Sequence, residues 1–119
     1  FSHCFALASM LALNTGSVTN MSSMFNNCYA LVSIPALNTS SVTNMSSMFF
    51  NCLNLSSINT IGTKITHSIA NCKLSAAALN AYYTNLPTVI GQTLTVTGNY
   101  GVSGDDPSIA TAKGWTVTG

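Results

Sequence analysis

Large apolar side chains recur along the first part of the chain at a constant interval of 24 residues. A fixed period of about 20–50 residues predicts a repeat architecture, in which each copy packs against the next. A low-complexity Ser/Thr/Asn segment is the alternative, but it predicts similarity among polar residues without register among apolar ones. Here the apolar positions keep register best: Phe1, Phe25 and Phe49; Cys4, Cys28 and Cys52; Leu7, Leu31 and Leu55; Met10, Ile34 and Ile58; Leu13, Leu37 and Ile61.

Each copy is predicted to contain one strand and one tight turn. In residues 31–37 the apolar side chains are spaced three apart, close to the leucine-rich-repeat pattern L-x-x-L-x-L, which predicts a short parallel strand with one buried side. Val42 starts a turn, and the apolar residues of segment 45–49 follow at helical intervals, which predicts a short 3₁₀ or α turn. The chain then returns through Asn51 and Cys52 to the next strand.

The period breaks down after Ile61. Residues 62–66 replace the usual bend, and the next Asn-Cys pair, at Cys72, follows the previous one after 20 residues rather than 24. We therefore predict repeat coils in residues 1–73 and a capping unit of the same domain in residues 74–119. A solenoid needs such a cap to cover its last hydrophobic coil.

The capping unit is predicted to contain two helices and two strands. Ser75 is a good N-cap, and Pro87 ends the helix that follows it. Asp106 is predicted to cap a second helix that has Pro107 at its first position. The predicted elements are a helix over residues 76–83 with its apolar face continuing to Leu86, a strand over residues 93–97, a helix from Pro107 to Gly114, and a strand over residues 115–117.

Charged residues are rare in this chain. They make up 4% of it, whereas a typical soluble domain has about 25%, so Ser, Thr, Asn and Gly must cover the surface. The formal net charge is +1, and clustered Lys and Arg that could displace counterions from phosphate are missing. No apolar run approaches the roughly 18 residues of a membrane span. We expect neither nucleic-acid binding nor membrane insertion.

The four cysteines are predicted to form a buried column. Cys4, Cys28, Cys52 and Cys72 occur once per coil, whereas zinc sites draw paired ligands at short spacing around one centre. Reduced, buried thiols are the main interpretation. A disulfide between neighbouring coils is the alternative, since such positions lie about 5–6 Å apart. A metal site is the least favoured of the three interpretations.

Catalytic and metal-binding constellations are also missing from the pattern. His3 and His67 have no nearby acid or serine with which to form a triad, and His3 aligns with the asparagines that precede the cysteines. Asp105 and Asp106 lie in a glycine-bearing loop that could hold calcium with Asn99, but Asp106 as a helix cap is the simpler interpretation. We predict no catalytic residue, no cofactor and no metal.

The repeated N-M-S-S-M-F motif of residues 44–49 and the N-C motif of residues 51–52 resemble the BspA-like leucine-rich repeats. The resemblance covers roughly residues 1–72, and the closing I-A-T-A-K-G-W-T-V resembles the last units of bacterial and phage repeat domains. It implies an α/β repeat solenoid with leucine-rich-repeat-like stacked coils, short parallel strands and a C-terminal helix–strand cap. Members of the resembled family are mostly non-enzymatic surface, adhesion or structural modules, and the variant recurs in phage tail fibres and virions.

A polar, nearly uncharged face is the candidate ligand surface. It consists of residues predicted to be exposed on the strands and bends, and it could contact a glycan or another protein through many weak hydrogen bonds, or stay solvated as the face of a spacer. Its members are Ser9, Ser33, Ser57, Pro35, Asn59, Thr60, Thr15, Thr39 and Thr63.

Together these features predict an extracellular, non-enzymatic module on the exterior of a phage virion, as a tail-fibre, decoration or receptor-contact part. The alternative is an adhesive segment of a bacterial cell-surface protein, and an enzyme is a distant third. The expected partners are other virion or cell-surface chains and a host surface glycan or protein. Because Phe1 opens in the middle of a copy with no capping helix, we also expect further repeats or a partner chain before it.

Overall fold

Two small parallel sheets are built from the short strands of this chain. The computed structural model describes all residues from 1 to 119. Strands β1 and β2 form one sheet, and β3, β4 and β5 form the other in that order. None of the helices is both long and apolar enough to span a bilayer. The elements are β1 (Ser33–Asn38), β2 (Ser57–Ile61), β3 (His67–Ser68), α1 (Ala76–Asn85), β4 (Gln92–Thr95), a 3₁₀ helix (Tyr100–Ser103), α2 (Ser108–Thr111) and β5 (Trp115–Thr118).

Equivalent positions of neighbouring copies lie side by side. In the first sheet Ile34 pairs with Ile58, at the 24-residue interval read from the sequence. On the opposite side of each copy, where the chain makes its turns, the N–H of Phe25 donates to the Met48 carbonyl over 3.0 Å. The turns themselves are closed by bonds between residues three apart, as from Met48 N to Met45 O, and not by a regular helix.

The 24-residue register predicts that Phe1, Phe25 and Phe49 stack in the core, one above the next, and a phenylalanine column is present. The ring centroids of Phe1 and Phe25 lie 5.8 Å apart, and those of Phe25 and Phe49 lie 6.0 Å apart, with nearly parallel planes. Phe25 and Phe49 are fully buried, but Phe1 is 52% exposed because only one of its faces has a ring against it. The prediction that all three lie in the core is therefore wrong for Phe1.

The predicted alignment of Ile61 with Leu37 is also wrong. Between Ile34 and Leu37 the register shifts by one residue, so Leu37 pairs with Thr60 and not with Ile61. Side chains alternate along a strand, so a one-residue shift moves each following side chain to the other face. Ile61 is accordingly 52% exposed and Thr60 is buried. Pro35 lies within the irregular stretch, where a residue without an N–H is tolerated.

The first copy forms no strand. Its segment over residues 7–13 is irregular, and a bond from Val32 N to Ala8 O over 3.0 Å ties it to the second copy. Pro35 has no N–H to donate, which removes one possible bond to a neighbour.

Each coil turns through a residue in the left-handed conformation. Asn27, Asn51 and Asn71 have φ of 59°, 59° and 56°, and His3 shares the conformation in the first copy. Asparagine tolerates this region better than most residues, which explains the repeated Asn-Cys motif. In the capping unit Gly98 has φ of 81°, and a Cβ there would lie 2.1 Å from the Asn71 side chain. Only glycine fits at that position.

Helix α1 is held at both ends by side chains. At its start the Ser75 hydroxyl accepts the N–H of Ala78 over 3.1 Å, which confirms the predicted N-cap. At its end the ammonium of Lys113 donates to three carbonyl oxygens, those of Tyr83, Thr84 and Leu86. A cation at this end also complements the helix dipole.

The second predicted helix is shorter than expected. Helix α2 ends at Thr111, and turns continue to Gly114. Its start is as predicted in one respect, since Asp106 Oδ1 accepts the N–H of Ser108 over 3.1 Å. After the buried Ala110, Thr111 and Ala112 are exposed, so little apolar burial is available to extend the helix.

The pairing on the turn side is interrupted between the second copy and β3. No backbone hydrogen bond joins residues 47–51 to residues 66–70, and a cavity of about 120 Å³ lies between them. The thiol of Cys72 reaches the Phe49 carbonyl at 3.8 Å, whereas the equivalent distance from Cys52 to the Phe25 carbonyl is 3.0 Å. This interruption lies where the interval between successive Asn-Cys pairs falls from 24 to 20 residues.

The Phe25→Ala substitution should lower the free energy of unfolding by about 3–5 kcal/mol, because it opens a cavity between two stacked rings. Urea denaturation measures the change. Phe50→Ala is the matched control, since Phe50 is 51% exposed and its truncation should cost far less. Equal losses from the two substitutions would contradict the column.

Candidate functional site

The structure divides the predicted ligand face into an exposed part and a buried part. Ser9, Ser57 and Asn59 are exposed, and Ser33 and Pro35 are half-buried. The remaining members, all threonines, are buried, and their assignment to an exposed face is wrong: Thr15, Thr39, Thr60 and Thr63.

The bend threonines are buried because their hydroxyls bind the backbone of the next copy. Thr15 Oγ donates to the Asn38 carbonyl over 2.8 Å, and Thr39 Oγ donates to the Ile61 carbonyl over 3.0 Å. The Ile61 carbonyl also accepts the N–H of Thr39 over 2.9 Å, so the Thr39 hydroxyl adds a second bond between the same two segments.

Three buried threonines continue into a chain of hydrogen bonds that ends at His67. The hydroxyl oxygens of Thr39 and Thr63 lie 2.8 Å apart, so the one proton of Thr39 is shared between Thr63 and the Ile61 carbonyl, and Thr63 donates to Thr60 over 3.2 Å. Thr60 donates to the Tyr82 hydroxyl over 3.3 Å, and that hydroxyl lies 2.7 Å from His67 Nε2. We call Thr39, Thr63, Thr60, Tyr82 and His67 the Thr–Tyr–His chain.

The direction of this chain follows from its last member. His67 Nδ1 lies 2.8 Å from the Ile65 carbonyl, which can only accept, so Nδ1 carries the proton and Nε2 accepts from Tyr82. Burial lowers the pKa of His67 to about 4 and raises that of Tyr82 to about 12, so both are neutral near pH 7. His67 lines none of the cavities, so it is not placed to exchange protons with a substrate.

The cysteines form the predicted column. Cys28, Cys52 and Cys72 are buried, Cys4 is half-buried, and none is in a disulfide. The thiols of Cys28 and Cys52 each donate over 3.0 Å to a phenylalanine carbonyl of the preceding copy. Burial raises the pKa of Cys52 to about 11 and that of Cys72 to about 12, which keeps both as unreactive thiols.

The aspartates and Asn99 do not converge on a cation. The Asn99 amide donates to the carbonyls of Ile69 and Val96 and accepts the N–H of Leu74, so its side chain is fully used inside the fold. Asp105 accepts from the Tyr83 hydroxyl. No three His, Cys, Asp or Glu side chains lie close enough to hold a metal ion.

The largest cavity is an open groove of about 400 Å³ beside the start of the first sheet. Sequence periodicity missed it, because its walls come from four separate segments of the chain. We call it the Lys73–Tyr100 groove, and it is lined by Ala30, Val32, Asn54, Ser56, Lys73 and Tyr100.

This groove combines exposed apolar surface with polar groups that are only partly used. Val32 is 48% exposed and Tyr100 is 67% exposed. Asn54 donates its amide to the Tyr29 carbonyl over 2.9 Å, which leaves its oxygen free. The rings of Tyr29 and Phe5 stack at 5.3 Å next to this contact and are also exposed.

Comparison with known proteins identifies a family for most of the chain. Residues 1–86 match the model of the family described as "Mycoplasma protein of unknown function, DUF285". The chain belongs to the DUF285 family. The DUF285 match spans the repeats and helix α1, so it includes Val32 and Lys73 of the groove but not Tyr100. No curated protein and no solved structure matches the chain.

Acidification should destabilise the fold through His67. Its pKa is lower in the folded state, about 4, than the ordinary value of about 6.5, so unfolding takes up a proton. The free energy of unfolding should be highest above about pH 6.5, fall by roughly 3 kcal/mol as the pH drops to about 4, and then lose this dependence.

Urea denaturation as a function of pH measures this effect. His67→Gln should remove most of the dependence. His3→Asn should retain it, because asparagine occupies the equivalent position in the later copies. A pH profile of His67→Gln that matches the unsubstituted protein would show that His67 is not responsible.

Thiol labelling should distinguish Cys4 from the other cysteines. In the folded protein Cys4 should react first with an aromatic disulfide reagent, while Cys28, Cys52 and Cys72 react only after denaturation, because they are buried. Cys4→Ser should abolish the fast phase. Rapid reaction of more than one thiol in the folded protein would contradict the buried column.

Proposed function

We propose that this chain is a non-enzymatic exterior module that binds a surface ligand through the Lys73–Tyr100 groove. It is a segment of a leucine-rich-repeat-like solenoid of the BspA-like type, closed by a C-terminal helix–strand cap. The location that we favour is the exterior of a phage virion, where the chain would be a tail-fibre, decoration or receptor-contact part. Its partners there are other virion chains and a glycan or protein of the host surface.

The observation that carries this proposal is the composition of the groove. Val32 and Tyr100 expose apolar surface at a position where Lys73 and the Asn54 oxygen have no partner in the chain. Concave sites with apolar walls and a few convergent polar groups are typical of ligand binding.

The pairing of the copies supports the repeat architecture in this proposal. Strands β1 and β2 are parallel, and backbone bonds also join the turns that precede these two strands, as from Asn27 N to Phe50 O over 2.8 Å. Each copy thus contacts the next on two sides, as the coils of a solenoid do.

The state of the titratable groups supports binding over catalysis. Asp105 and Asp106 are the only acids, and both accept hydrogen bonds within the fold. His67 is buried in the Thr–Tyr–His chain. Acid–base catalysis needs a positioned group that can reach a substrate, and these side chains are already engaged.

A place on the bacterial cell surface is the second candidate. The observation in its favour is the description of the DUF285 family, which names a bacterium. Detection with a specific antibody separates the two places: signal in purified virions favours the phage particle, and signal on intact, uninfected cells favours the cell surface.

Binding of the fluorescently labelled chain to intact bacterial cells tests the proposed function. We expect saturable binding to the cells of a recognised host, with Val32→Asp reducing it about tenfold or more, because a charge replaces apolar surface in the groove. Ile90→Asp is the matched control, since Ile90 is 93% exposed and lies outside the groove. A lack of saturable binding to a panel of bacteria, or equal binding by both variants, would favour a spacer.

A further inference from the structure

We propose that the ligand of the Lys73–Tyr100 groove is an acidic glycan, in which a sugar carboxylate pairs with Lys73 and a sugar ring stacks on Tyr100. This inference rests on the proposed function and specifies its ligand class. It is carried by the charge of the groove, by its unused hydrogen-bonding groups and by its exposed aromatic ring.

The charge of the groove is positive and uncompensated. Lys73 is its one ionised side chain, and the only acids of the chain are engaged elsewhere, Asp105 with Tyr83 and Asp106 with the start of α2. Lys113, by contrast, is fully used at the end of α1. A ligand with one negative charge would complement Lys73, and desolvation of the groove on binding strengthens such a pair.

The remaining polar groups of the groove offer both acceptors and donors. Asn54 donates one amide N–H to the Tyr29 carbonyl and keeps its other N–H and its oxygen, and Ser56 donates its hydroxyl to the Val32 carbonyl over 3.3 Å and keeps its lone pairs. A ligand that offers several O–H donors together with one anionic acceptor matches this arrangement. A carboxylated sugar has both.

The aromatic ring of the groove is held in place by the backbone beneath it. Tyr100 begins the 3₁₀ helix, and the next residue, Gly101, donates its N–H to the Leu74 carbonyl over 3.1 Å. A Cβ at Gly101 would lie 2.2 Å from Ala76 N, so the 3₁₀ helix packs directly on the first residue of α1. The backbone that carries Tyr100 is therefore fixed, and its exposed, amphipathic ring suits the apolar C–H face of a pyranose.

A glycan fits the groove better than a peptide does. None of the residues that line the groove lies in a strand, so an extended peptide bound there would not meet a strand edge with which to pair. The volume of about 400 Å³ lies near the lower end of the range for small-ligand sites, which suits the end of a short oligosaccharide.

Binding to immobilised oligosaccharides tests the inference. The carboxylated probes are 3′-sialyllactose and trigalacturonate, and their neutral counterparts are lactose and the methyl ester of trigalacturonate. We expect the protein to bind at least one carboxylated probe ten or more times more tightly than its neutral counterpart. Lys73→Gln should remove this preference, and the matched control Lys64→Gln should retain it, because Lys64 lies outside the groove.

Substitutions of Tyr100 test the stacking contact separately. Tyr100→Ala should weaken binding of the carboxylated probe about tenfold or more, while Tyr100→Phe should retain it, because the proposed contact is made by the ring face. Loss in Tyr100→Phe equal to that in Tyr100→Ala would overturn the stacking contact.

Three results would overturn the acidic-glycan assignment. They are equal binding of carboxylated and neutral probes, a preference that survives in Lys73→Gln, and a failure of all glycan probes, including the case in which an immobilised polyglutamate peptide binds instead. If Val32→Asp still abolishes binding to cells while the glycan probes fail, the proposed function stands and only its ligand class is wrong.

Discussion

Backbone pairing between equivalent residues of neighbouring copies is the constraint on which the rest of the structure depends. A single copy is too small to bury its own apolar side chains, so each must be covered by its counterpart one copy away. The bond from Phe25 N to Met48 O sets this spacing, and the rings of Phe25 and Phe49 stack at the same interval. The asparagines with a left-handed backbone conformation end each coil in the same way, so that the next coil begins in register with it.

The same pairing determines where binding chemistry can arise. Residues 30–32 and 54–56 are placed beside each other by backbone pairing, as from Ser56 N to Val32 O over 2.9 Å, and Lys73 from the end of the repeats and Tyr100 from the capping unit lie at the same place. None of the four segments needs its exposed side chains for the core. The groove can therefore change its chemistry while the pairing beneath it stays the same.

Sequence periodicity predicted the features that depend on repetition. The phenylalanine and cysteine columns, the cap at Ser75 and the last strand follow from spacing and from helix-capping chemistry. It could not predict that Thr60 is buried and Ile61 exposed, because a one-residue shift in pairing is a property of two strands together. The groove was not predicted for a similar reason, since Tyr100 is distant in sequence from the other lining residues and meets them only in the folded chain.

The interrupted ladder between residues 47–51 and 66–70 has one property of a hinge, since no main-chain hydrogen bond joins these two segments. On one side α1 packs against β2 and keeps the two parts in contact, while on the other side the main chains are not bonded to each other. Across this place Phe49 and Cys52 belong to the same hydrophobic core as Ile69 and Cys72, so apolar packing rather than main-chain bonding holds the two sides together. A rotation that separates Phe50 from Ser68 would break no main-chain hydrogen bond between residues 47–51 and 66–70.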